Sequence, residues 1–118
     1  MSRDRLFLIE PGFEDAQKDA KTPGRRYYCP HCNQIEGVLA TNPALADAVE
    51  VIRVPFPRPR QPVIAVVGAA NQGLPLLVLG DGTPAPDDAQ TFGGARFISD
   101  TTRILELLAG RHGIPYPH

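Results

Sequence analysis

Tryptophan is missing from this chain, methionine occurs once and cysteine twice. Aromatic residues make up only 7% of the 118 positions, so the core must be mainly aliphatic. No apolar run approaches the roughly 20 residues that a membrane-spanning helix needs, and no membrane partner is expected. An excess of either charge is also missing. Twelve Lys and Arg stand against thirteen Asp and Glu, a net charge of -1, which supplies no general attraction to nucleic acid or anionic lipid. Met1-Ser2-Arg3-Asp4 leads straight into a strand-like segment without an apolar signal region, so a cytoplasmic location is expected. Two cysteines cannot build a disulfide framework. In that compartment a lone Cys-x-x-Cys pair is more often redox-active or metal-binding than a staple. The length fits a single domain over residues 1–118, large enough to bury a core without cross-links.

What is present alternates between strand and helix signals. Leu6-Phe7-Leu8-Ile9 is a continuous apolar run halted by Glu10-Pro11-Gly12, the pattern of a buried strand. Residues 11–26 carry mixed charge without period and read as a solvated surface loop, or as a lid beside the cysteines. Ile35, Val38 and Leu39 share a helical face, so Pro30 to about Thr41 reads as a helix, with Pro30 in its first turn. Val49 to Pro55 reads as a β-branched strand, and Val63, Val66 and Val67 mark a second helix closed by Gly68. Leu76 to Leu79 is a third strand entered through Leu74-Pro75, a place where proline is tolerated. Gly80 to Gly94 lacks apolar period and reads as a loop. Arg96-Phe97-Ile98 is a fourth strand, and Ser99 or Asp100 caps a last helix lined by Ile104, Leu107 and Leu108. No repeat is present. The order β-α-β-α-β-β-α calls for an α/β fold with a four-stranded mixed sheet flanked by helices, its last two strands antiparallel.

A first strand, Cys29-Pro30-His31-Cys32 at the next helix start and Leu74-Pro75 entering a later strand together resemble the thioredoxin fold, in its glutaredoxin topology. Over nearly the whole chain the sequence resembles an uncharacterised proteobacterial family of thioredoxin-like proteins. That likeness is carried by 26–32 (Arg-Tyr-Tyr-Cys-Pro-His-Cys), 56–61 (Phe-Pro-Arg-Pro-Arg-Gln), 71–75 (Asn-Gln-Gly-Leu-Pro) and His112-Gly113. The resemblance implies Cys29 as the attacking thiol, Cys32 as the resolving one and Pro75 as a cis-proline whose neighbour Leu74 offers backbone to a bound substrate. It also implies that Ser99 and Asp100 could hold glutathione, with Gly93-Gly94 permitting close backbone approach. Two features depart from thioredoxins and glutaredoxins: Tyr28 replaces thioredoxin's tryptophan before the first cysteine, and the segment before the motif is longer than in either.

The residues themselves set the chemical requirement. The attacking species is a thiolate, so an active Cys29 needs its anion stabilised. Helix N-terminal N–H groups would do this, and because Pro30 has none, His31 and Cys32 must supply them. His31, Arg25 or Arg26 could add positive charge. The expected function is thiol–disulfide oxidoreduction on a protein or glutathione substrate, with Tyr28, Pro30, His31, Leu74, Pro75, Ser99 and Asp100 binding it and no bound cofactor. The rival is a non-catalytic module of the same fold, its cysteines idle or holding metal. Metal would require further ligands, such as His112 and His118 from a folded-back tail; the plainer reading leaves each histidine on the surface, and no metal residue is assigned. Arg53, Arg58 and Arg60 form a basic patch, read as a solvated edge or an anion site at the second helix.

Overall fold

Residues 2–118 are described by the computed structural model; Met1 and the Asp19 side chain lie outside the described residues. Strands β1 (Arg5–Ile9), β2 (Glu50–Val54), β3 (Leu76–Val78), β4 (Gln90–Phe92) and β5 (Ala95–Ile98) form one sheet in the order β2-β1-β3-β5-β4. β1 and β2 are parallel, and the remaining neighbours are antiparallel. Helices α1 (Ala16–Asp19), α2 (Pro30–Thr41), α3 (Pro43–Ala48), α4 (Gln61–Val67) and α5 (Thr101–His112) complete a mixed α/β architecture.

The period-two alternation of a strand explains why the apolar runs are unbroken. Leu6 and Leu8 join Leu77, Leu79 and Ile98 in one cluster with Ile35 and Leu39 of α2, Leu45 of α3, and Ile104 and Leu108 of α5. Phe7, Leu76, Val78 and Phe97 go the other way, packing with Val63 and Val67 of α4. Both faces of the sheet are therefore covered, and neither can be polar. Truncating any of these fully buried leucines to alanine would cost about 2–5 kcal/mol. Local signals set the helix limits. Proline stands in the first turn of α2, α3 and α4, where a missing N–H is no loss. Asp100 caps α5, and Gly113 ends it with a positive φ of 73°.

The sheet has five strands rather than the expected four. The extra strand, β4, is wholly exposed and was hidden because an exposed edge carries no apolar alternation. Phe92 pairs with Ala95 across a two-residue turn at Gly93-Gly94, both with positive φ, the conformation that a tight hairpin demands of glycine. Two short helices, α1 and α3, were also unread. The 80–94 loop is held by three arginines. Arg96 donates to the Thr83 and Gly80 carbonyls, Arg103 to the Asp88 carboxylate, and Arg111 to the Pro84 carbonyl.

The register decides where function can sit. Phe7 pairs with Ile52 and Leu76, and Leu77 with Ile98. The C-terminal ends of β1, β2 and β5 and the N-terminal end of β3 therefore share one end of the sheet, with the segments that follow or precede them.

Candidate thiol site

Cys29 is the N-cap of α2, with extended backbone (φ -77°, ψ 115°). Its Sγ accepts a hydrogen bond from the Cys32 N–H at 3.2 Å. Of the two donors expected, His31 and Cys32, this one reaches the sulfur. Pro30 in the first turn leaves the geometry of that bond undisturbed. Cys29 is half-buried and Cys32 is buried, with 2% of its surface exposed; both are free thiols. The Cys32 Sγ lies under the helix start and accepts from the Ile9 N–H at the end of β1, at 3.4 Å. Burial pushes the Cys32 thiol up to about 12. The Ile9 N–H opposes that rise, the Cys29 sulfur adds to it, and the Arg60 charge opposes it.

Beside Cys29 lies a groove of about 430 Å³. Its wall combines Ile9, Tyr28, Cys29 and Pro30 with Phe13, Tyr27 and Phe56, and Asp15, Lys18 and Arg26 add charge. A volume of this order with apolar walls and few charges suits a small ligand or one side chain of a larger one. Segment 11–26 was read as a solvated loop or a lid. Much of it is exposed, but its base is closed by a bridge in which Phe13 and Tyr27 exchange backbone hydrogen bonds of 3.1 and 2.8 Å. Thr22 Oγ1 and the Tyr27 hydroxyl are 2.8 Å apart, and Phe13 stacks on Phe56 with ring centres at 4.2 Å. The insertion thus builds one wall of the groove.

The other expected residues are distributed as follows. Tyr28 is 58% exposed, and His31 is exposed. The Leu74–Pro75 bond is cis, Pro75 is buried, and Leu74 packs against both core clusters; the Arg58–Pro59 bond is also cis. Ser99 and Asp100 are exposed at the end of β5, where Asp100 Oδ2 accepts from the Arg103 N–H at 2.9 Å. The register brings all of these to the thiol end of the sheet. Leu74, Pro75, Ser99 and Asp100 nevertheless lie outside this groove's wall.

The basic patch dissolves on inspection. Arg53 forks onto Glu36 at 2.8 and 2.7 Å, and Arg58 is exposed. Arg60 is buried, 5% exposed, so neither a solvated edge nor an open anion site describes it. Its Nε and Nη2 donate to the Phe56 carbonyl at 3.0 and 2.7 Å, and its Nη1 to the Gln72 carbonyl at 2.8 Å. The Gln72 side chain in turn accepts the Arg60 N–H. Sequence reading missed Phe13, Tyr27, Phe56 and the burial of Arg60. The proline-flanked stretch 56–61 was noticed as a motif, but nothing in it marks burial.

His112 is not a surface side chain. Its Nε2 lies 2.9 Å from Asp4 Oδ2, at the end of the molecule opposite the thiols, whereas His118 is exposed in the tail. Among the described residues no three His, Cys, Asp or Glu side chains converge as metal ligands. A larger cavity, about 480 Å³, lies at the Asp4 end, lined by Thr83, Arg111 and His112 among others. On its wall Asp4, Arg111 and His112 are bonded to one another, and Arg3 donates to the Asp47 carbonyl.

The architecture and this pair define a mixed α/β protein with a dithiol at a helix N-terminus. Residues 3–116 match the family described as "Protein of unknown function (DUF3088)", and the chain belongs to that family. The match carries no thioredoxin-like or glutaredoxin assignment. No curated protein and no solved structure matches the chain.

Proposed function

We propose that the protein is a thiol–disulfide oxidoreductase of thioredoxin-like architecture. The observation that carries this reading is the cap: a half-buried sulfur at a helix N-terminus accepts an N–H, with a second, buried sulfur three residues on. An N–H aimed at Cys29 Sγ, backed by the positive end of α2, favours negative charge on that sulfur. The sheet order, whose register brings Leu74 and Pro75 to the same end, supports the thioredoxin-like reading.

The exchange runs in two displacements. The Cys29 thiolate attacks one sulfur of a substrate disulfide; an S–S bond forms to Cys29, and the other substrate sulfur leaves as a thiolate that takes a proton from water. Cys32 then attacks Cys29 Sγ, its proton passing to the departing substrate sulfur, so that the Cys29–Cys32 disulfide forms and the second substrate thiol is released. Two electrons pass from the dithiol to the substrate. A small-molecule dithiol returns the pair to its reduced state. Tyr28 and Pro30 line the groove, exposed His31 follows on α2, Leu74 beside Pro75 offers backbone to a peptide, and Ser99 with Asp100 is the place for glutathione as co-substrate.

The test uses reduced protein and the aromatic disulfide dithiobis-nitrobenzoate. Wild type should release two nitrothiobenzoates per chain, Cys32→Ser one, and Cys29→Ser should react at least about 100-fold more slowly, since only the buried thiol is left. The rival reading, a binding module with idle cysteines, draws on how deeply Cys32 is buried and how high its thiol is pushed. Cys29 alkylated no faster than free cysteine near neutrality, with no internal disulfide at any glutathione poise, would decide for the module.

A further inference from the structure

Only two charged residues are buried among the described residues, Asp4 and Arg60. Asp4 precedes β1, far from the sulfurs, whereas Arg60 follows β2 at the thiol end. No carboxylate pairs with Arg60 among the described residues; its guanidinium is held by two backbone carbonyls and lies 5.6 Å over the ring of Phe56, a wall residue of the Cys29 groove. That anchoring places a full positive charge inside the protein without neutralising it. Low surroundings of polarity let such a charge act further than it would in water. Phe56 packs against the same core cluster that contains Cys32, and the Arg60 charge favours the ionised form of that thiol.

We propose that Arg60 is the positioning counter-charge for the resolving sulfur: its buried guanidinium offsets the negative charge that develops on Cys32 Sγ in the second displacement. This rests on the oxidoreductase reading and adds a residue to it. Cys32 is covered by the helix start and receives one N–H, from Ile9, so a thiolate there has no water to stabilise it. The titratable and charged groups on α2, β1, the segment after β2 and α5, with the residues flanking them, are Cys29, His31 and Glu36 with Tyr27 and Tyr28 before them, Arg5 and Glu10, Arg58 and Arg60, and Asp100, Arg103, Glu106, Arg111 and His112. Of these, Arg60 alone is a buried full charge.

The two displacements are separable with excess dithiobis-nitrobenzoate. The first release depends on reagent concentration; the second, made by Cys32 within the chain, does not. In Arg60→Gln the second phase should slow about tenfold and its pH profile move upward, the loss expected for one unit of thiol ionisation, while the first phase changes less. Arg60→Lys keeps the charge and loses the fork. It should retain most of the second phase while melting at a lower temperature. A folded Arg60→Lys variant that loses the second phase as completely as Gln overturns the proposal, as does an Arg60→Gln variant with both phases slowed equally or neither slowed. Should Arg60→Gln not fold, the Lys variant still decides. Wild type that never shows a second release would instead sink the oxidoreductase reading itself.

Discussion

The two ends of the sheet hold the two buried charges of the described residues, and they treat them oppositely. Asp4 is saturated. Arg111 grips it with Nε and Nη2, both at 2.8 Å, His112 Nε2 reaches it at 2.9 Å, and the Gly80 N–H donates at 2.7 Å. Burial alone would raise its carboxyl, but these bonds and the Arg111 charge outweigh burial and hold it at about 2. Such a cluster ties the first strand to the last helix, and its arginine and histidine also suit the C-terminal end of α5. Arg60 has the opposite lot: burial and the nearby Arg58 charge both weigh against its proton, and carbonyl dipoles, the Phe56 ring and the two sulfurs answer in place of a carboxylate. Asp4 is answered by charged partners, while Arg60 has no ion-pair partner among the described residues.

That contrast can be broken most forcefully at Asp4. Asp4→Ala leaves the partly buried Arg111 and His112 without their shared carboxylate, a loss of about 3 kcal/mol measurable by urea unfolding. The dithiobis-nitrobenzoate kinetics of the folded variant should not change. A slowed second phase in Asp4→Ala would show that the two ends are not independent.

Acid comes next in size. Asp4 has a depressed folded pKa, about 2 against the ordinary 3.8, so the unfolded chain binds more protons in that interval. Its contribution, about 2 kcal/mol, is fully present above pH 4 and is lost as pH falls through about 2. Unfolding free energy followed between those values should drop in wild type, with that component missing from Asp4→Asn.

The smallest effect belongs to the thiol end. Asp100→Ala removes a single cap on α5 and should cost about 1 kcal/mol, whereas Asp100→Asn should be nearly neutral. Turnover with glutathione that falls in both variants, with the aromatic disulfide unaffected, would sharpen the assignment of Asp100 to a glutathione subsite. Unchanged turnover would reduce Asp100 to its cap.

Much of the fold was written in local pattern. The runs Leu6 to Ile9 and Leu76 to Leu79 hold β1 and β3 because continuous apolar stretches suit a sheet covered on both faces, and the β-branched residues from Val49 hold β2. The placement of Cys29 at a helix start followed from Pro30 and the spacing of Ile35, Val38 and Leu39. β4 escaped because exposure on an edge erases alternation, and its only trace, Gly93-Gly94, was read as room for a ligand rather than as a turn. Histidine 112 and the lining of the groove escaped for another reason: Asp4 and His112 are 108 residues apart, and no period links them.

What the sequence alone determined, then, is where strands and helices form and which helix begins with the thiol pair, since propensity, capping and apolar period act over a few neighbouring residues. The tertiary structure decided which charges are buried, what answers them, and that Phe13, Tyr27 and Phe56 wall the space beside Cys29. Those outcomes depend on carbonyls, rings and carboxylates brought together from distant parts of the chain, and such distances carry no signature in local order.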